Sequence, residues 1–325
     1  MPPVSRSPHV GKTPGEIIML DCLIVGAGPA GLTAAIYLAR FHLKVAIVDA
    51  GQSRALWIPE THNHAGYPDG ISGRVLLEQI RQQAVQYGAK IWDGRVSELG
   101  KDGGAFTVKY GDDEIKALNV LLATGVVNRR PDMDDDLHEK ALASGGLRYC
   151  PICDGYEVTD KKVAVIGTGE RGLAEAEFLR SYTGDVTLIS PDGPHDLDAD
   201  EQDAATRLGI ELVDGPAKIE RLTDDGVAVS LGECELSFAS IYPALGSDVN
   251  NRLAKMLGAK CGEDDGIIVD THQRTSVPGL YAAGDVVIGL DQISHAMGEG
   301  GVAAVTIRND IAENRSLLRS RGSVR

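Results

Sequence analysis

The sequence holds no run of about 18 apolar residues, the minimum for a membrane-spanning helix. No membrane role is expected. Residues 1–18 contain no signal-type apolar core. They read as a flexible extension, and Met19 is a candidate start because the first strand begins directly after it. Only five cysteines occur among 325 residues, too few and too scattered for a secreted disulfide scaffold. A reducing cytoplasm is the expected location. Cys22, Cys234 and Cys261 stand alone in sequence and read as buried or inert thiols. Basic residues are outnumbered, 32 Lys and Arg against 47 Asp and Glu, a net charge of −15. Phosphate backbones need basic surface, so no nucleic-acid partner is expected. The imbalance is local. Residues 128–245 hold 25 acids and 11 bases, and the rest of the chain holds 22 and 21. Such asymmetry points to different partners for different regions.

What is present is a chain long enough for two domains, with 43% hydrophobic residues to fill their cores. Asp21–Val25 is a short apolar run ending in Gly26-Ala27-Gly28-Pro29-Ala30-Gly31. A helical pattern follows from Leu32 to Phe41, then a buried strand, Lys44–Val48, ending at Asp49. Strand, G-x-G-x-x-G, helix, strand and acid form the dinucleotide fingerprint. The first glycine makes the tight turn. The second lets backbone approach a pyrophosphate, and the third lets helix pack on strand. The helix N-terminus offers N–H groups to phosphate, and Asp49 is placed to accept a ribose hydroxyl.

Residues 74–88 show helical spacing. Alternating segments near 90–99, 105–110 and 114–118 suit antiparallel strands, and Asn119–Gly125 reads as a buried strand stopped by a small-residue turn. A second fingerprint follows Val163–Ile166, as Gly167-Thr168-Gly169-Glu170-Arg171-Gly172, with a helix through Arg180 and a strand at Asp185–Ser190. Two such units imply a duplicated α/β architecture. Later, Gly266–Asp270 and Leu280–Asp285 read as strands, and a long helix opens near Gln292 and runs to Ile311. Beyond Ala312 a tail with Arg315, Arg319, Arg321 and Arg325 reads as a solvated, partly disordered end.

Between the fingerprints lies Cys150-Pro151-Ile152-Cys153-Asp154-Gly155. Cysteines at i and i+3 can close a small disulfide. A helix start lowers a thiol pKa and creates a nucleophile, exchange runs through a mixed disulfide, and Asp154 could supply or remove the proton. Three rivals are weaker. A zinc site needs about four ligands, and no second Cys-x-x-Cys or His pair is visible, so no metal is expected. A thioredoxin- or glutaredoxin-like domain would place the pair after an early strand. A purely structural disulfide conflicts with a reducing compartment.

The first fingerprint, Ala123-Thr124-Gly125, Cys-x-x-Cys-Asp-Gly ahead of a second fingerprint, and the late Gly284-Asp285 together resemble the low-molecular-weight thioredoxin reductases, over about residues 19–312. The resemblance implies two Rossmann-like domains of three-layer ββα form, the second inserted in the first. The FAD-binding domain would be 19–127 and 246–312, the central NADPH-type domain 128–245, and the tail 313–325. FAD is the implied cofactor. Its implied contacts are Gly26, Gly28, Pro29, Ala30, Gly31, Asp49, Ala50, Asn63, Val96, Ala123, Thr124, Gly125, Gly284, Asp285, Gln292 and Ile293. Cys153 would be the flavin-proximal sulfur, Cys150 the sulfur exchanging with the partner, and Asp154 the acid. Homodimers are usual in the family.

One part of the pattern is missing. The family carries a His-Arg-Arg run after the second strand of the central domain, which grips the 2′-phosphate of NADPH. Here the stretch is Ser190-Pro191-Asp192-Gly193, and residues 185–206 contain seven acids and no Lys or Arg. Like charges disfavour a phosphate. NADH is less excluded, since Asp192 could accept a ribose hydroxyl. The chain therefore resembles the deeply branching, NADPH-independent type, for which ferredoxin is a candidate donor. An acidic ferredoxin would have to avoid the acidic middle segment. The expected acceptor is a thioredoxin-like protein or a small disulfide. The alternatives are an FAD-dependent dithiol oxidase passing electrons to oxygen, in the manner of gliotoxin-type relatives, and a flavin redox sensor without turnover. His62 and His64 read as structural; His295 is open between a flavin-side role and packing.

Overall fold

The structure, a computed structural model, describes residues 19–319. The extension expected at 1–18, and Arg321 and Arg325 of the tail, lie outside the described residues. In chain order the elements begin with β1 (Met19–Val25), α1 (Pro29–Arg40), β2 (Val45–Asp49), α2 (Gly73–Gln86), β3 (Lys90–Asp93), β4 (Val96–Asp102), β5 (Ala105–Tyr110) and β6 (Asp113–Leu122). Then come β7 (Val126–Asn128), α3 (Asp135–Ser144), α4 (Pro151–Asp154), β8 (Val163–Ile166), α5 (Gly169–Leu179), β9 (Val186–Ile189), α6 (Ala199–Leu208) and β10 (Glu211–Val213). The rest are β11 (Lys218–Thr223), β12 (Gly226–Leu231), β13 (Cys234–Phe238), β14 (Ser240–Pro243), β15 (Ser247–Val249), α7 (Arg252–Met256), β16 (Leu280–Ala282) and α8 (Ile293–Asn314).

They form two compact units. Unit 1 comprises the described residues up to Leu56, Val75–Val126, and those from Val249 onward; unit 2 comprises Trp57–Arg74 and Val127–Asp248.

In unit 1 the strand order is β3-β2-β1-β6-β5-β4, with β16 also on β6. Strands β1, β2, β3, β6 and β16 pair in parallel, and β4-β5-β6 is an antiparallel meander. The cause is in the residues. Leu20–Val25 are all buried, as a parallel strand covered on both faces must be. Strands β4 and β5 mix buried with exposed positions, which suits a sheet with one wet face. The core between sheet and meander gathers Leu23, Val48, Phe106, Val108, Leu122 and Ile267. Helices α1 and α8 touch closely: a Cβ on Gly300 would sit 2.3 Å from the Ala30 carbonyl oxygen.

Four expectations change. The segment near 90–99 is two strands, and β3 runs parallel to β2, because alternation reports half-burial and not direction. Residues 114–118 and 119–122 are one strand, β6, whose two halves have different neighbours. Gly266–Asp270 makes only isolated bridges, through Ile267 to Cys261 and Val287. There the Asp270 carboxylate accepts the backbone N–H groups of His272 and Arg274, turning the chain. The start of the tail is not a solvated end. Helix α8 continues to Asn314, and Arg315 Nη1 lies 2.7 Å from the buried Asp21 carboxylate.

Unit 2 repeats the plan on a smaller scale. A parallel sheet β10-β9-β8-β14 is accompanied by a meander β11-β12-β13. Strands β8 and β9 are buried throughout. Each unit thus has the parallel strand–helix–strand core of a Rossmann-like α/β fold.

Candidate functional site: a dinucleotide cradle and a redox disulfide

The cradle in unit 1 is shaped by backbone proximity. Gly26 has φ +104°, and a Cβ there would lie 2.3 Å from the Ala123 carbonyl oxygen. A Cβ on Gly31 would lie 2.0 Å from the Gly26 carbonyl oxygen. Neither position accepts a side chain. Gly28 caps α1 without any side-chain hydrogen bond, Pro29 occupies the first turn, and no acid lies there. The N–H groups of that turn, Ala30 and Gly31 included, remain available to an anion.

Asp49 ends β2. Its carboxylate accepts the Ala27 N–H at 3.2 Å and lies 3.5 Å from Arg81. Ala50 follows, exposed. Thr124 Oγ1 donates to the Asn250 carbonyl at 2.7 Å, and Gly125 has φ +62°. Val96 opens β4 with its side chain in the core.

Gly284 adjoins the fingerprint: its Cβ would meet the Ala30 Cβ at 2.9 Å. Its N–H donates to Glu299 at 2.7 Å. Asp285 lies 3.4 Å from Arg54, which also binds Asp291 at 2.8 Å. Burial pushes the Asp285 carboxyl up to about 6, with Arg54 opposing. Gln292 caps α8, Ile293 opens it, and His295 pairs with Glu299 at 3.1 Å. The fingerprint turn, the 123–125 turn and the 284–285 turn therefore meet, and they fit a bound dinucleotide. Arg54, Asp291 and Glu299 join them without any signal in the sequence beyond being charged.

The redox loop lies in unit 2. Cys150 and Cys153 form a disulfide with Cα atoms 5.2 Å apart. Pro151 starts the short helix α4, and the Cys153 N–H points at Cys150 Sγ, 3.1 Å away. Asp154 follows directly. Tyr242 donates its hydroxyl to Asp154 Oδ1 at 3.1 Å, and Arg148 Nη1 lies 3.2 Å from Oδ2. Burial raises the Asp154 pKa, Arg148 and Tyr242 oppose that, and Glu157 adds to it. On α5, burial pushes the Glu175 carboxyl up to about 7. Its Oε1 has no hydrogen-bond partner among the described residues.

Asn63, which the resemblance assigns to FAD, lies in unit 2 and donates to the Ile152 carbonyl, inside the Cys-x-x-Cys loop, at 3.3 Å. His62 lies 3.3 Å from Glu60, and His64 stacks on Tyr67. Tyr149, just before Cys150, shares a 2.9 Å hydrogen bond with His138, and Trp57 packs on both rings. Burial lowers the His138 pKa to about 4, so its ring is neutral at pH 7. Of the lone cysteines, Cys22 is buried, which pushes its thiol up; Cys261 is half-buried and Cys234 exposed.

The second fingerprint keeps its shape. A Cβ on Gly172 would lie 2.8 Å from the Gly167 carbonyl carbon, and Gly169 has φ +62°. Its surroundings differ from the first. Glu170 sits in the first turn of α5. Thr168 Oγ1 accepts the Asp196 N–H at 2.7 Å and lies 3.4 Å from His195 Nδ1. The next N-terminus, that of α6, is closed by Asp198 and Glu201 in a reciprocal capping box, with Asp200 in the same turn.

A dinucleotide cradle joined in one chain to a redox disulfide with a half-buried acid beside it defines a disulfide oxidoreductase. The chain belongs to the pyridine nucleotide-disulphide oxidoreductase family, whose model matches residues 20–300. It is 30% identical over 314 residues to a thioredoxin reductase of Mycolicibacterium smegmatis, covering 90% of this chain and 97% of that one. The thioredoxin reductase structure from Streptococcus pyogenes matches with a TM-score of 0.81 at 27% identity, covering 91% and 99% of the two chains. An atypical thioredoxin reductase, TRi, from Desulfovibrio vulgaris Hildenborough matches at 0.52 and 29% identity, covering 91% and 99%. The chain is a thioredoxin-reductase-like flavoprotein oxidoreductase acting on a disulfide, and its cofactor is FAD.

Proposed function

We propose that this enzyme reduces the disulfide of a thioredoxin-like partner through Cys150 and Cys153, and that NADPH is not its electron donor. Unit 1 is assigned as the FAD-binding domain. Gly26, Gly28, Pro29, Ala30 and Gly31 would hold the pyrophosphate, and Asp49 with Ala50 the adenosine ribose. Ala123, Thr124, Gly125, Gly284, Ile293 and, through its backbone, Val96 would complete the FAD site, with Asp285 on the flavin-side ribityl or phosphate and Gln292 beside the isoalloxazine ring. The relatives named thioredoxin reductase support the acceptor and favour reduction over the oxidase and sensor readings.

One observation carries the donor reading. Two turns of the same shape differ in charge: α1 begins without any charged residue, whereas α5 begins with Glu170 beside Arg171 and the segment after β9 that leads to the self-capped α6 carries acids and no Lys or Arg. A 2′-phosphate held after β9 would meet this acidic segment with no Lys or Arg to pair with. A ferredoxin-class carrier is the proposed donor, docking away from the acidic middle segment. A homodimer in the cytoplasm completes the reading.

FAD held in this cradle, once reduced by the donor, would supply the two electrons for opening the disulfide. The residues do the rest. Opening Cys150–Cys153 creates one thiol and one thiolate, so one proton must arrive. Asp154, next to Cys153 and with its pKa raised by burial, is the group placed to deliver that proton. Arg148 and Tyr242 fix its carboxyl. The Cys150 thiolate attacks the partner's disulfide and displaces one partner sulfur. Cys153 then attacks Cys150, re-forms the intramolecular disulfide and releases the partner as a dithiol.

The test is direct. Enzyme reduced anaerobically with one equivalent of dithionite is mixed with oxidised thioredoxin. Thioredoxin thiols should appear as the flavin absorbance returns. Return of absorbance without new thiols would contradict the proposal.

A further inference from the structure

Residues Trp57–Arg74 belong with the redox unit and touch the redox loop on both sides of Cys150. On one side the Trp57 ring packs against Tyr149, with centroids 5.7 Å apart, and against His138 at 5.2 Å. On the other side the Asn63 amide donates to the Ile152 carbonyl at 3.3 Å. That carbonyl lies between the two cysteines. Asn63 is itself oriented, because Thr61 Oγ1 donates to its Oδ1 at 2.9 Å, leaving the amide nitrogen to face the loop. Thr61 is buried and bridged to Ile71, which closes the base of this segment.

We propose that Trp57–Arg74 is a strap that sets the disulfide–dithiol balance of Cys150 and Cys153, with Asn63 as its positioning residue. The inference rests on the reading of the pair as redox-active. The physical argument is one of differential contact. A closed disulfide holds Cys150 and Cys153 in one geometry and so fixes the direction of the intervening Ile152 carbonyl. Opening the bond lets the two sulfurs move apart and frees that peptide to turn. A donor aligned with the closed loop therefore binds the oxidised form more tightly than the dithiol form. It shifts the equilibrium by the ratio of those affinities. The strap thus stabilises the disulfide and makes the dithiol a stronger reductant. The balance involves only the pair and an external thiol. Two glutathione molecules reduce the disulfide to two thiols and leave as one glutathione disulfide.

The experiment equilibrates FAD-loaded full-length enzyme with graded glutathione and glutathione disulfide. The pair is then alkylated, and the peptide holding Cys150 and Cys153 is weighed, which keeps Cys22, Cys234 and Cys261 out of the signal. Asn63→Ala and Asn63→Asp, which keeps the shape but removes the donor, should both move the equilibrium about fivefold toward dithiol, equivalent to ~20 mV. Thr61→Val should move it the same way by less. Midpoints within twofold of wild type in both Asn63 variants would overturn the proposal. So would loss of FAD with an unmoved midpoint, which returns Asn63 to the cofactor cradle. Because the readout needs no flavin turnover, its failure is separate from failure of the proposed enzymatic activity.

Discussion

Tyr242, at the buried end of a strand in unit 2, gives its hydroxyl to Asp154, the residue directly after the redox pair, at 3.1 Å. The two are 88 positions apart in sequence. Burial raises the pKa of the acid and this hydrogen bond lowers it. Tyr242→Phe should therefore move the Asp154 titration upward. In a pH series of disulfide opening, the half-maximal point should shift to higher pH than in wild type. Loss of the hydroxyl should also cost about 1 kcal/mol of stability in denaturant titration.

Cys153→Ser should retain FAD and lose turnover with a protein disulfide, because no intramolecular disulfide can form. Cys150→Ser should lose the same activity, since the thiolate that attacks the partner is gone. Flavin absorbance per mole of protein and a thiol-release assay check both variants.

Glu175 ties stability to pH. Burial lifts its pKa from 4.5 to about 7. The folded protein holds that proton more tightly than the unfolded chain. Its stabilising contribution is full below about pH 4.5 and is lost as pH rises through about 7. Glu175→Gln removes this dependence. The variant should be more stable than wild type at pH 8 by roughly 2–3 kcal/mol, because a tenfold difference in proton affinity between the folded and unfolded chain is worth ~1.4 kcal/mol. The gap should close near pH 5, as chemical denaturation at the two pH values would show.

Gly26→Ala tests the cradle. The added Cβ would meet the Ala123 carbonyl oxygen at 2.3 Å, with φ already at +104°. Backbone strain alone is worth about 1–3 kcal/mol. The variant should purify with little or no FAD and with a lowered melting temperature.

The parts legible in the sequence are those set by local covalent chemistry. Gly26, Gly28 and Gly31 stand where backbone must come close, so their spacing gives the turn away. Cys150 and Cys153 are recognisable because few reactions use that spacing. The missing bases after β9 are legible as composition. Contacts between distant segments are not. Nothing local pairs Tyr242 with Asp154, Arg54 with Asp285, or Glu299 with the Gly284 N–H. Strand direction is equally silent: nothing in Lys90–Asp93 itself tells that it pairs parallel with β2. Asp21 shows why the start of the tail is ordered although its own residues do not suggest it. A buried carboxylate needs a partner, and Arg315, 294 positions away, supplies it.

The central claim is a flavin–disulfide couple whose second nucleotide turn no longer accepts NADPH. Its most direct test is anaerobic stopped-flow mixing of the FAD-loaded enzyme with excess NADPH, followed at the flavin absorption band, beside the same enzyme mixed with reduced ferredoxin. The account predicts a flavin band unchanged by NADPH on the timescale of turnover and bleached by reduced ferredoxin. Rapid bleaching by NADPH would contradict it.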